Sequence, residues 1–113
     1  MGLDFNHCEA RWAYSGFAHF RRKLAKEIGM DLDKMEGFGG DIPFSNYEDD
    51  ILPLLDHSDC DGELTVEECK RVAPRLRQLV STWENDDYDK IKALDLVSGM
   101  EYAVECNEPL EFC

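Results

Sequence analysis

Asp56-His57-Ser58-Asp59-Cys60-Asp61-Gly62-Glu63-Leu64-Thr65-Val66-Glu67-Glu68 is the stretch on which the reading of this chain turns. Six of its thirteen residues are carboxylates, with Asp59 and Asp61 alternating ahead of Gly62, and Glu68 six residues beyond that glycine. Carboxylates held this close repel one another unless opposite charge arrives with them. The same run contains a helix start. Thr65, with Glu68 three residues on, forms a capping box that satisfies the first free amides of a helix beginning at Val66. Upstream, Ile51, Leu52, Leu54 and Leu55 form an apolar stretch that Pro53 limits to short helical pieces. Downstream, Cys69, Val72, Leu76, Leu79 or Val80, and Trp83 recur on one helical face. The unit is therefore helix, acidic loop, helix.

This loop resembles an EF-hand calcium loop. That pattern has carboxylates at positions one, three and five, Gly at six, a backbone carbonyl at seven and a bidentate Glu at twelve. With Gly62 at six, Asp59 falls at three, Asp61 at five, the Glu63 carbonyl at seven, Leu64 at eight, Thr65 at nine and Glu68 at twelve. His57 occupies position one, where Ca2+ prefers oxygen and where imidazole suits zinc or copper better. Asp56, one residue earlier, supplies an oxygen if the loop is a residue longer. The resemblance implies a metal set of Asp56, Asp59, Asp61, Glu63, Thr65 and Glu68, with Ca2+ as the ion and Mg2+ as the related hard cation. Leu64 has no evident twin, since neither Ile42 nor Ile91 lies in a competent loop. That implies weak binding, or a homodimer paired across the loops. Over its length the chain is similar to short acidic bacterial proteins carrying a His-Ser-Asp-Cys-Asp-Gly segment, which implies a cytoplasmic setting.

Other readings of the loop stay open. Thr65 and Glu68 cap a helix whether or not an ion is present. His57, Cys60 and Cys69 form a candidate zinc set, with Cys8, Cys106 or Cys113 as a fourth ligand, although no CxxC knuckle accompanies them. An acidic protein that binds a basic protein or peptide needs no metal at all.

The chain has 113 residues, enough for a single domain spanning 1–113, and 43% hydrophobic content suits one modest core. Its 25 acidic and 12 basic side chains give a net charge of -13. A surface this negative repels nucleic acid and anionic membranes, and leaves cations and basic proteins as partners. Ten acidic residues and no Lys or Arg lie between Asp41 and Cys69, whereas Arg11 through Lys34 holds half of the basic residues, read as a solvated face. Five cysteines cannot all pair within one chain, and Met1-Gly2-Leu3-Asp4-Phe5 is not a signal peptide, so reduced thiols are expected. No nucleophile elbow, Walker loop, HExxH or Ser-His-Asp set is present, so an enzyme is not expected. Glu36 to Asp41 is glycine-rich but lacks the spacing of a phosphate loop.

Along the chain, Asn6 with Glu9 reads as a capping box for a long amphipathic helix carrying His7, Trp12, Phe17, His19, Phe20, Leu24 and Ile28 and ending at Gly29. Ser45 with Glu48 reads as a second box, opening the entering helix. Pro74 predicts a kink in the exiting helix. Asn85-Asp86-Asp87 starts a last helix with Ile91, Leu94, Val97, Met100 and Val104 on its inner face, and Asn107-Glu108-Pro109 stops it. Leu110 and Phe112 alternate like a strand and are expected to fold back. The fold class expected is all-α: a small bundle of about four helices with one EF-hand-like helix-loop-helix, a kinked third helix and an extended C-terminal tail.

Overall fold

The computed structural model describes residues 3–8, 10–36, 38–57 and 62–112. The chain is predominantly helical with one small sheet. Helix α1 spans Tyr14–Glu27, α2 Leu52–Leu55, α3 Val66–Val80 and α4 Tyr88–Cys106; strands β1 (Glu63–Leu64) and β2 (Leu110–Glu111) pair antiparallel. The principal helix packing is α3 against α4, with α1 and the single turn of α2 closing the core. Each long helix contributes an apolar stripe at three- and four-residue steps: Phe17, Phe20 and Leu24 from α1, Val72, Leu76 and Val80 from α3, and Leu96, Val97 and Met100 from α4, all fully buried.

The N-terminal reading is corrected. Among the described residues no helix forms at Asn6; instead Leu3 and Trp12 exchange backbone hydrogen bonds of 2.7 and 3.2 Å, and α1 starts only at Tyr14. Asn6, expected as a cap, accepts through its side chain from the Glu111 amide at 2.9 Å and donates to the Pro109 carbonyl at 3.4 Å. A local cap was outcompeted by pairing with the distant tail. Trp12 nonetheless reaches the core, its ring stacked on Phe20 at 4.7 Å.

The second capping box is also corrected. Phe44–Asn46 is one 3-10 turn, Tyr47 is extended, and α2 is preceded by a local turn in which the Asp49 carboxylate accepts from the Ile51 amide at 3.0 Å. Arg75 of α3 grips that same carboxylate with Nε and Nη2 at 2.9 and 2.8 Å, fixing α2 to α3. Arg75 holds the Asp49 carboxyl below its usual pKa, chiefly by hydrogen bonding.

Helix α3 runs unbroken through Pro74, which has no N–H to offer the Lys70 carbonyl. Helix α4 begins with the Asp87 side chain accepting from Asp89 N–H and ends at Asn107, which adopts φ 55, a left-handed conformation that Asn tolerates. Ile91, expected on the inner face, is 51% exposed. In the connector, a Cβ on Gly40 would lie 2.0 Å from the Lys34 carbonyl oxygen, so this glycine allows two backbone segments to cross. No helix among the described residues is long and apolar enough to cross a membrane.

Candidate metal loop

Between α2 and α3 the described residues of the loop are Asp56, His57 and then Gly62 onward; Ser58, Asp59, Cys60 and Asp61, which include two expected ligands, lie outside the described residues. The second half is built as a turn, a strand and a capped helix. Gly62 has φ 89, a backbone that L side chains rarely adopt. Glu63 and Leu64 then form β1, with Leu64 fully buried and Glu63 exposed. Thr65 caps α3: its hydroxyl accepts from the Glu68 amide at 3.2 Å, while Glu68 Oε1 accepts from the Thr65 amide at 2.9 Å. This is the reciprocal capping box expected from the residue types.

The partner of Leu64 comes from the end of the chain. Leu110 sits opposite it in β2, Glu111 opposite Glu63, and the Phe112 amide donates to the Gly62 carbonyl at 2.9 Å. The tail thus covers the β1 edge that would otherwise be unpaired. It also places Glu63 directly across from Glu111, a like-charge pair that disfavours the ladder.

His57 closes the loop from the other side. Its Nε2 lies 2.8 Å from the Glu63 carbonyl oxygen, and since a carbonyl only accepts, Nε2 carries the proton. The ring stacks on Phe112 at 4.0 Å with planes 23° apart. A Cβ on Gly62 would approach His57 Cε1 to 3.2 Å, so both the φ of Gly62 and its lack of a side chain are used here. Gly62→Ala is therefore expected to cost about 1–2 kcal/mol of stability in a urea titration, from left-handed strain and displacement of the imidazole; an unchanged midpoint would refute this account of the turn.

The residue that sequence reading missed is Arg21. It is 3% exposed, where a solvated basic face was expected. Its Nη1 donates to the Leu55 carbonyl at 3.2 Å and to the His57 carbonyl, and its guanidinium lies over Phe17 and Phe38 at 4.8 and 5.2 Å. Arg21 therefore satisfies the end of α2 and fixes the first residue of the loop. A signal was present: position 21 is four residues after Phe17 and three before Leu24, on the apolar stripe.

Cys69 of the candidate zinc set is fully buried, its Sγ 3.8 Å from the Leu64 carbonyl oxygen, and burial pushes its pKa up to about 11. It packs beneath β1 as an uncharged thiol, a poor state for a metal ligand. Cys8, Cys69 and Cys106 are each free. Among the described residues, no three His, Cys, Asp or Glu side chains converge as a metal set. The donor chemistry of the loop nevertheless suits a hard cation, since its carboxylate and carbonyl oxygens are the ligand type Ca2+ and Mg2+ take. No family model matches the chain, and no curated protein or solved structure matches it.

Proposed function

We propose that this protein is a small acidic helical module whose α2–α3 loop binds a divalent cation weakly, with Ca2+ favoured over Mg2+, in a structural or regulatory role. The observation that carries the reading is the offset of four features from His57: the positive-φ Gly62, the Glu63 carbonyl at the head of β1, the Thr65 cap, and Glu68 at the third position of α3. These follow the second half of an EF-hand-like loop position by position. Asp59, Asp61 and Glu68 would hold the ion through side chains, Glu63 through its carbonyl and Thr65 directly or through water, with Asp56 completing the set. The ion would supply charge neutralisation in the most acidic part of the chain, where Glu63 also faces Glu111.

Weak affinity follows from two competing contacts. The Glu63 carbonyl already accepts from His57, and Glu68 Oε1 already accepts from the Thr65 amide. Each takes one lone pair of an oxygen that would ligate and draws off part of its donor strength. A Kd of ~10⁻⁴ to 10⁻³ M, the weak end for such loops, is the expectation.

The test is a thermal melt in EDTA, Ca2+, Mg2+ or Zn2+, on the wild type and on Glu68→Gln. Ca2+ at about ten times Kd should stabilise the folded form by ~1.4 kcal/mol. For a chain of this length that raises Tm by about 5 °C. Gln at the third helical position still completes a capping box, so Glu68→Gln separates ligation from capping. The variant should keep its EDTA melting temperature and lose the Ca2+ response. Equal melting of the wild type in EDTA and Ca2+, or a rise that Glu68→Gln retains, would overturn the proposal; the second outcome would mark general screening of the -13 charge.

A further inference from the structure

Helix α4 also exposes large hydrophobic side chains on the side opposite its buried face. Its inner face buries Ala93, Leu96, Val97, Met100 and Ala103. Its outer face carries Tyr88 at 78%, Ile91 at 51% and Tyr102 at 54% exposure, the exposed large hydrophobic residues of the described chain. These three belong to one stripe, Tyr88, Ile91, Asp95, Ser98, Tyr102 and Glu105, whose steps alternate three and four residues. From Tyr88 to Tyr102 it runs about 21 Å along the helix axis. Three large hydrophobic side chains on one exposed helical face, interleaved with carboxylates, offer a partner both apolar anchors and charge.

Charge identifies the cover. The stripe contains two carboxylates and no Lys or Arg. The two lysines of α4 are engaged elsewhere: Lys90 donates to the Trp83 carbonyl and to Asn85 at 2.9 Å each, and Lys92 lies over the Trp12 ring at 5.6 Å. A second copy of the chain would bring another -13 against this face, so self-association along it is electrostatically opposed. A basic segment is attracted, and arginine is suited further because guanidinium groups stack on tyrosine faces.

We propose that the outer face of α4 is a docking surface for a basic amphipathic helix of a partner protein, with Tyr88, Ile91 and Tyr102 as its apolar anchors and Asp95 and Glu105 as its charge partners. This surface is separate from the α2–α3 loop and does not depend on the ion.

The probe is a fluorescent helical peptide of roughly 18 residues, long enough to span the stripe, with leucines on one face and Lys and Arg on the other, titrated with the full-length protein. Binding is expected to weaken steeply with salt. The deciding variant is Ile91→Asp, which adds negative charge while removing an anchor. Docking on this face predicts about tenfold weaker binding, whereas attraction by net charge alone predicts equal or tighter binding and would overturn the proposal. Tyr102→Ala should weaken binding similarly, and both sites are exposed enough to leave the fold intact by circular dichroism. A stable dimer that Ile91→Asp dissolves, seen by analytical ultracentrifugation, would also overturn it by assigning the face to self-association.

Discussion

Replacing Arg21 by methionine is expected to lower the unfolding free energy by about 3 kcal/mol in a urea titration. The size follows from what the guanidinium holds. Nη1 donates to the Leu55 and His57 carbonyls, and removing a donor from buried acceptors costs about 1–3 kcal/mol for each left without a partner. Contacts over the Phe17 and Phe38 rings are lost as well. Relief from the cost of burying a cation works in the opposite direction, and methionine fills part of the vacated volume, which keeps the net loss near the lower end of that sum. Arg21→Lys should restore only part of this, because an ammonium can donate to both carbonyls but has no planar face to lie over Phe17 and Phe38. A loss under about 1 kcal/mol would mean that the α2 carbonyls are served by water, and that Arg21 does not anchor the loop.

Phe112→Ala is expected to cost about 3–4 kcal/mol, at the level of a large aromatic removed from a core. Phe112 is 5% exposed although it is the last described residue of the chain. Its ring meets Phe5 at 4.9 Å, Phe17 at 6.4 Å and the His57 imidazole at 4.0 Å, and its amide holds the Gly62 carbonyl. The loss should concentrate at the loop. Amide hydrogen exchange should show β1 and β2 losing protection first, with the amides of α3 and α4 still slow. Uniform loss of protection, or a change under about 1 kcal/mol, would show that the tail is not the clamp on β1 described above. Together the two variants test whether the loop is held from both ends, by Arg21 at His57 and by Phe112 at Gly62.

Much of the helical core was legible because its causes are local. The apolar steps through Val72, Leu76 and Val80, and through Val97 and Met100, mark buried faces wherever the helices pack. The Thr65–Glu68 box formed as written because its partners lie three residues apart. The same signature at Asn6 and at Ser45 opens no α-helix among the described residues; Glu9, the other half of the first box, lies outside them. At Asn6 the tail competes for the same groups, and beyond Ser45 the Asp49–Arg75 pair fixes the turn that precedes α2 further along the chain. A capping box is a preference of about 1 kcal/mol, easily overridden by several tertiary hydrogen bonds. Ile91 was misplaced for a geometric reason. The expected face ran from Ile91 to Leu94, Val97 and Met100 in three-residue steps, each short of a full turn, which together carry it about 180° round the helix.

The sequence by itself determined where α3 and α4 run, that Gly62 turns the chain, that Thr65 starts a helix, and that acidic side chains crowd one loop. Each of these depends on residues within a few positions of one another. The tertiary structure alone decided that Arg21 is buried, that Leu110 is the strand partner of Leu64, and that Asn6 belongs to the tail. Those outcomes join groups far apart in sequence, 34 positions from Arg21 to Leu55 and 105 from Asn6 to Glu111. No local preference specifies which distant backbone group will be left needing a partner, and it is that need, in a buried setting, that selects the contact.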